Sequence, residues 1–446
     1  MSAPPKLCDK QSRLSALSKL VREPSFPPRG LVQKVMGPML EASGIKAEVG
    51  RACYVQAAGD VSLEAEIVGF RDGRSLIMPV GSTRGIAPGS VVQPLSTPPS
   101  IPVSDALLGR VLDSRGQPLD GRLLPEIKTS FPIHRRPPNP MLRHIIDTPM
   151  QLGVRVIDAC MTMGWGQRMG LFAGAGVGKS TLLAMLAKDS DADVIVIALV
   201  GERGRELREF LDNALGPEAL SKCVVVVETS DAPPLLRVRA ALTATTIAEV
   251  FRDQGKRVLL LTDSLTRFLQ AQREIGLMLG EPPTSKGYTP SCFSMLAELL
   301  ERAGPGIDGR GSISALYTVL VEGDDLSDPV ADAAISMLDG HILLDRRLAE
   351  KGLYPAINIL GSVSRLANKL TAQAVQNAAR SLREDLALFE RMEDMVNMGA
   401  YEKGSNPNLD RVIQRLPEIV KFRRQHEDES EALQDAQDAL LELMNP

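Results

Sequence analysis

A run of small residues closed by a lysine, Ala173-Gly174-Ala175-Gly176-Val177-Gly178-Lys179-Ser180-Thr181, follows the apolar stretch Arg168 to Ala173 and opens a helical pattern, Leu182 to Lys188. Glycines let successive backbone N–H groups turn inward around phosphate oxygens. The start of the helix adds unpaired donors and the positive end of its dipole. Strand, glycine loop, Lys-Ser and helix are the parts of a P-loop. On that reading Gly174, Ala175, Gly176, Val177, Gly178 and Thr181 cradle a nucleotide, Lys179 reaches its β- and γ-phosphates, and Ser180 ligates Mg²⁺. Ala173 stands where the strict pattern has glycine.

Two carboxylates extend the case. The buried run Val258-Leu259-Leu260-Leu261-Thr262 delivers Asp263 to the carboxyl edge of a sheet, where a P-loop ATPase places the partner of its Mg²⁺. Taken alone, an Asp capping a strand is more often structural. Glu202 follows the run Val194 to Val200 and emerges at the same edge, where ligands bind in open α/β sheets. A carboxylate there can polarise an attacking water, although the charged run Gly201-Glu202-Arg203-Gly204-Arg205-Glu206 also reads as a solvated helix start. The four histidines, His134, His144, His341 and His426, are too scattered to suggest a metal site.

The elements that must hold these residues alternate apolar, β-branched runs with helical patterns between about 153 and 344: Arg168–Ala173, Val194–Val200, Cys223–Glu228, Val258–Asp263 and Ile313–Val321. Such runs imply a parallel sheet covered on both faces. Before it, short β-rich segments at Ala47–Val49, Arg51–Gln56, Val61–Gly69, Ser75–Pro79 and Ser90–Gln93, with turns at Asp72-Gly73 and Pro88-Gly89, suggest a small β-barrel over 30–97. The first 29 residues form an extension whose segment Gln11–Arg22 reads as a short helix, either packing on its own domain or docking a partner. Residues 98–366 hold the α/β core. Residues 367–446 are helical in character, with breaks near Gly399 and Gly404-Ser405-Asn406-Pro407, and their acidic end reads as a solvated face. The loop Pro282–Pro290 faces either a ring pore or a neighbouring subunit.

Composition narrows the classes. The 446 residues carry 51 Lys and Arg against 55 Asp and Glu, a net charge of −4, so there is no basic footprint for nucleic acid. Trp165 cannot form a stacking platform, and the barrel segment offers only Tyr54 and Phe70 for stacking on bases, against an RNA translocase. Five scattered cysteines without metal-ligand spacing suit a reducing cytosol. No apolar run reaches the roughly 18 residues of a membrane span, so membrane contact is expected to be peripheral.

Ala173 to Thr181, Gly201 to Glu206, Asp263-Ser264-Leu265-Thr266-Arg267, Gly280-Glu281-Pro282-Pro283 and Tyr354-Pro355-Ala356-Ile357 together resemble the catalytic subunits of rotary ATP synthases. Leu107 to Asp113, Glu322-Gly323-Asp324-Asp325 with Asp328 to Asp332, and Gly399-Ala400-Tyr401 look like the flagellar and injectisome protein-export ATPases of that superfamily. The resemblance implies a RecA-like core and an ATPase that uses Mg·ATP. By it Glu202 matches the carboxylate that activates water, Arg203 a phosphate-proximal arginine, and Tyr354 the aromatic that packs on adenine. Arg365, in Ser362-Val363-Ser364-Arg365, matches an arginine finger that completes a neighbour's site, which implies a homohexamer. It further implies a cytosolic regulator at the extension, a central stalk protein in the pore, export chaperones and substrates, and a membrane export gate at the inner membrane. A virulence-secretion ATPase and a hexameric RNA translocase are the alternatives.

Overall fold

The computed structural model describes residues 29–445 apart from Asp60, Asp308, Glu322 and Asp324, so the expected helix Gln11–Arg22 lies outside the described residues. The chain divides into two compact units, one ending at Pro98 and the other beginning at Pro99.

In the first unit six antiparallel strands close a barrel in the order β1-β2-β5-β4-β3-β6: β1 Gly30–Met36, β2 Met39–Ser43, β3 Ala52–Gln56, β4 Ser62–Arg71, β5 Arg74–Pro79 and β6 Val91–Pro94. Val32, Leu40, Val55, Ile67, Ile77 and Val92 fill its interior. Register shifts at Val32/Lys34 and Ile67/Gly69 supply the local bend that closure needs. The strand expected at Ala47–Val49 is not formed. That stretch is irregular and ends in a turn whose Gly50 N–H donates to the Ile67 carbonyl, and the barrel is completed instead by β1 and β2, whose alternation the bulge at Val32/Lys34 interrupts.

The second unit is built on a sheet in the order β14-β13-β8-β12-β11-β9-β10-β7, comprising β7 Arg110–Asp113, β8 Arg168–Ala173, β9 Val194–Glu202, β10 Cys223–Thr229, β11 Arg257–Asp263, β12 Ser312–Leu320, β13 Gly340–Leu343 and β14 Val363–Ser364. Every pairing from β13 to β7 is parallel, and β14 runs antiparallel at the edge. Helices cover both faces, which is why the central strands read as unbroken apolar runs. The glycine loop leads into α1, Lys179–Asp189; α2, Pro234–Asp253, is buried along almost its whole length; α3, Leu265–Leu279, leaves the end of β11. Thr243, Thr245 and Thr246 of α2 satisfy their hydroxyls on the carbonyls of Ser114, Ala241 and Leu242. The connection before β8 is pinned by buried ion pairs: Arg110 to Asp120 at 2.7 Å, and Arg302 to Glu249 at 2.8 Å with a further bond to the Ile133 carbonyl.

The C-terminal helices α4 Gln373–Asn397, α5 Pro407–Arg423 and α6 Leu433–Met444 share one apolar core with the sheet. Leu382, Ile419, Phe422 and Leu440 are buried in it. At roughly 1.5–3 kcal/mol per fully buried side chain, these contacts make the helices part of the same body. The acidic residues of α6, Asp435, Asp438 and Glu442, lie on its exposed face. Among the described residues no helix is long and apolar enough to cross a membrane, and Cys53, Cys160, Cys223 and Cys292 are free and buried.

Candidate active site

Three neighbouring strands converge on the loop. β8 carries it, β12 lies beside β8, and β11 lies beyond β12, so Lys179 and Asp263 approach each other across the carboxyl end of one intervening strand. Gly178 caps α1 at φ 89°, a conformation that costs an L side chain about 1–2 kcal/mol, and among the described residues no side chain caps the helix start. The first-turn amides therefore face the loop. Lys179 Nζ donates to both carboxylate oxygens of Asp263 and lies 3.9 Å from Glu202 Oε1.

Glu202 reaches this cluster through a bulge. Opposite β10 the register shifts between Val200 and Glu202, so Gly201 is extra, and such an insertion re-aims the residue that follows. Gly201 has φ 72°, and a Cβ there would lie 3.2 Å from the Arg267 side chain. Ser180, Glu202 and Asp263, with Leu199, Glu206, Leu207 and Phe210, line a cavity of about 20 Å³, room for about one water molecule. Burial, and then the Asp263 charge, push the Glu202 carboxyl above its ordinary range, opposed by Lys179 and Arg267.

A second, larger cleft of about 1020 Å³ opens on the other side of the loop. Gly178, Thr181, Leu182 and Tyr354 form one wall, and Pro417, Val420 and Lys421 of the helical region the other. The half-exposed Tyr354 ring lies 3.5 Å from where a Gly178 Cβ would stand. Gln425 ties the walls together. Its backbone N–H donates to the Tyr354 carbonyl at 3.0 Å, its Nε2 to Gly153 O at 2.8 Å, and its Oε1 accepts the Arg155 N–H at 2.9 Å.

Of the residues singled out in the sequence, Lys179, Ser180, Glu202 and Asp263 meet at one point and Tyr354 borders the loop. Arg203 does not join them: its side chain is 75% exposed and bonds Glu206 at 3.2 Å. Arg365 follows the edge strand β14, is exposed, and donates to the Ile335 carbonyl. Three further residues belong to the site. Arg267 packs on Gly201 with its Nε buried and, among the described residues, without a hydrogen-bond partner; Arg346 donates to the Ala175 carbonyl of the loop at 3.2 Å, and Thr318 donates to Asp263 at 2.6 Å.

An uncapped helix start, a lysine and a buried arginine nitrogen seeking an acceptor fit a polyphosphate. Residues 153–364 match the ATP synthase alpha/beta family, nucleotide-binding domain, and residues 32–96 its beta-barrel domain. Residues 371–442 match the T3SS EscN ATPase C-terminal domain. The chain is 48% identical to the flagellum-specific ATP synthase of Bacillus subtilis strain 168 over 94% of this chain and 96% of that one. It belongs to the flagellar and type III secretion ATPases.

The similarity extends to the injectisome branch. The type 3 secretion system ATPase of Xanthomonas euvesicatoria is 46% identical over 92% of this chain and 93% of its own. The assembled ATPase EscN in complex with its central stalk EscO, from enteropathogenic E. coli, superposes with a TM-score of 0.86 at 41% identity, covering 93% of this chain and 100% of that one. The protein is thus an ATPase of the secretion type, with an N-terminal β-barrel, a parallel-sheet core and C-terminal helices.

Proposed function

We propose that this ATPase hydrolyses Mg·ATP at the interfaces of a homohexameric ring and uses the cycle to release chaperones, unfold substrates and drive their export. The observation that carries the reading is the convergence of Lys179, Ser180, Glu202 and Asp263 around one water-sized cavity beside an uncapped helix start. The loop amides and Lys179 bind and orient the phosphates. Glu202 holds the attacking water and accepts its proton, a task that suits a carboxylate whose basicity burial has raised. Among the described residues no group of three or more His, Cys, Asp or Glu is set to hold a metal by itself. Ser180 and Asp263, two oxygen donors lining one cavity, suit Mg²⁺, which takes few protein ligands and keeps its waters; when bound it would neutralise charge between the phosphates. Tyr354 stacks on the base.

Arg365 supports the shared site by its position. It is exposed at the opposite end of the sheet order from β7, two strands from the loop strand β8, and suited to a neighbour. Arg203 contributes to phosphate binding only after leaving Glu206. That EscN has been seen assembled and with a central stalk supports an oligomer and a stalk partner here. A regulator at residues 1–29 and a peripheral position at an inner-membrane export gate complete the proposal.

Mixing two inactive variants tests the shared site. Lys179→Ala spoils a chain's own loop and Arg365→Ala spoils what it lends. In a randomly mixed ring an interface is complete with probability one half times one half, so the mixture should regain about a quarter of the wild-type rate. No recovery, with mixed assembly shown by native mass spectrometry, would place Arg365 outside the neighbour's site.

A further inference from the structure

We infer that Thr318 is a positioning residue for the metal-binding carboxylate, a role that rests on the Mg·ATP reading above. Thr318 lies on β12, the strand between the one that carries the loop and the one that ends in Asp263. The parallel register pairs Thr262 with Tyr317, so the next step along both strands brings Asp263 and Thr318 side by side on the same face of the sheet. Thr318 is fully buried, and its Oγ1 donates to Asp263 Oδ1 at 2.6 Å.

Asp263 thus has two kinds of partner. The Lys179 ammonium bonds both of its oxygens, but an ammonium that also serves the β- and γ-phosphates must turn away from the carboxylate when they bind. Thr318 has no such second task. Its hydroxyl is fixed by a β-branched side chain on a central strand, where χ1 is restricted. It is the bond that remains when Lys179 turns, and it leaves the second oxygen, Oδ2, free to accept from a metal-bound water. A carboxylate without that bond would rotate and present either oxygen, or neither, to the metal shell. The neighbouring bond from Thr266 Oγ1, which accepts the Leu320 N–H at 2.8 Å, keeps the ends of β12 and α3 in step, so donor and acceptor ride on one rigid frame.

The test is Mn²⁺ titration followed by electron paramagnetic resonance, in the presence of ADP, on the full chain and on Thr318→Val, Thr318→Ser and Asp263→Asn. Valine keeps the shape and removes the donor; serine keeps the donor. Thr318→Val should weaken Mn²⁺ binding about tenfold, the order expected for a lost hydrogen bond to a charged group. Thr318→Ser should stay within about twofold of wild type. ADP affinity measured in EDTA should be the same in both, which a general loosening of the fold would not give. Wild-type Mn²⁺ affinity in the valine variant overturns the inference. Unchanged affinity in Asp263→Asn overturns instead the assignment of the metal to this carboxylate, so the two failures are told apart. Should the valine chain lack a cooperative thermal transition, Thr318→Cys, with a weak donor of similar size, takes its place, and an affinity equal to that of the serine variant overturns the inference.

Discussion

Replacing Glu202 by glutamine keeps the side chain's shape and removes its charge and its ability to take a proton. A positioned general base contributes about 10²–10⁴-fold to a rate, so kcat should fall by about a thousandfold, or about 4 kcal/mol of transition-state stabilisation. Nucleotide binding should move differently. Glu202 Oε1 lies 3.9 Å from Lys179 Nζ, an attraction of about 4 kcal/mol before desolvation at an effective dielectric constant of 20. Removing it makes the lysine more available to phosphate while Asp263 still holds it in place. KM for ATP should therefore stay within about threefold of wild type or fall, since nothing made only in the ground state is lost. The assay is steady-state hydrolysis at protein concentrations where the rate per chain has levelled off, with ADP affinity measured separately. The pH profile supplies an independent check. Burial and the Asp263 charge hold the Glu202 carboxyl above its ordinary value, so the acid limb of kcat/KM for wild type should lie above about 4.3, and this limb should vanish from the residual activity of the variant. A glutamine enzyme with kcat within threefold of wild type, or with the same acid limb, would refute the assignment of Glu202 as the base.

Removing the Tyr354 ring should raise KM for ATP by about 5- to 100-fold, the range of one base–aromatic stack, while Tyr354→Phe stays near wild type and kcat changes little in either; an unchanged KM in Tyr354→Ala would detach the ring from the base. Asp120 bears on stability. The Arg110 guanidinium, with Arg122, holds its carboxyl well below the usual range, so its contribution is complete above the unfolded-state value of about 3.9 and is lost as pH falls below it. Asp120→Asn should cost about 3 kcal/mol in urea unfolding at pH 7 and converge on wild type in acid. A gap at pH 2.5 as large as the one at pH 7 would mean that the pairing charge is not what holds this corner.

The loop, Asp263 and Glu202 are legible in the sequence because each ends an apolar run, and such runs, alternating with helical patterns, leave few alternatives to a buried parallel strand. Arg203, which the resemblance places near phosphate, points away from the loop here. Alternate residues at a strand end point to opposite sides, so a chain that turns Glu202 inward turns Arg203 outward, and motif spacing alone does not carry that sign. Thr318 and Arg346 escaped notice for a different reason. Their contacts with Asp263 and Ala175 depend on which strands are neighbours and in what register, a non-local property that nothing in β12 or the Leu344–Arg347 stretch declares. Strands of four residues, β7 and β13, are too short for periodicity to mark, and the bulge in β1 hid the first barrel strands.

Gln425 makes the far end of the chain a lever on the base. Because one side chain and its own amide hold Tyr354, Gly153 and Arg155 together, a pull that shifts the end of α5 is expected to displace the Tyr354 wall of the larger cleft. Linkage then runs both ways. A protein that grips the C-terminal helices more firmly in one position sets the affinity for nucleotide, and each turnover at the loop alters that grip by the same free energy.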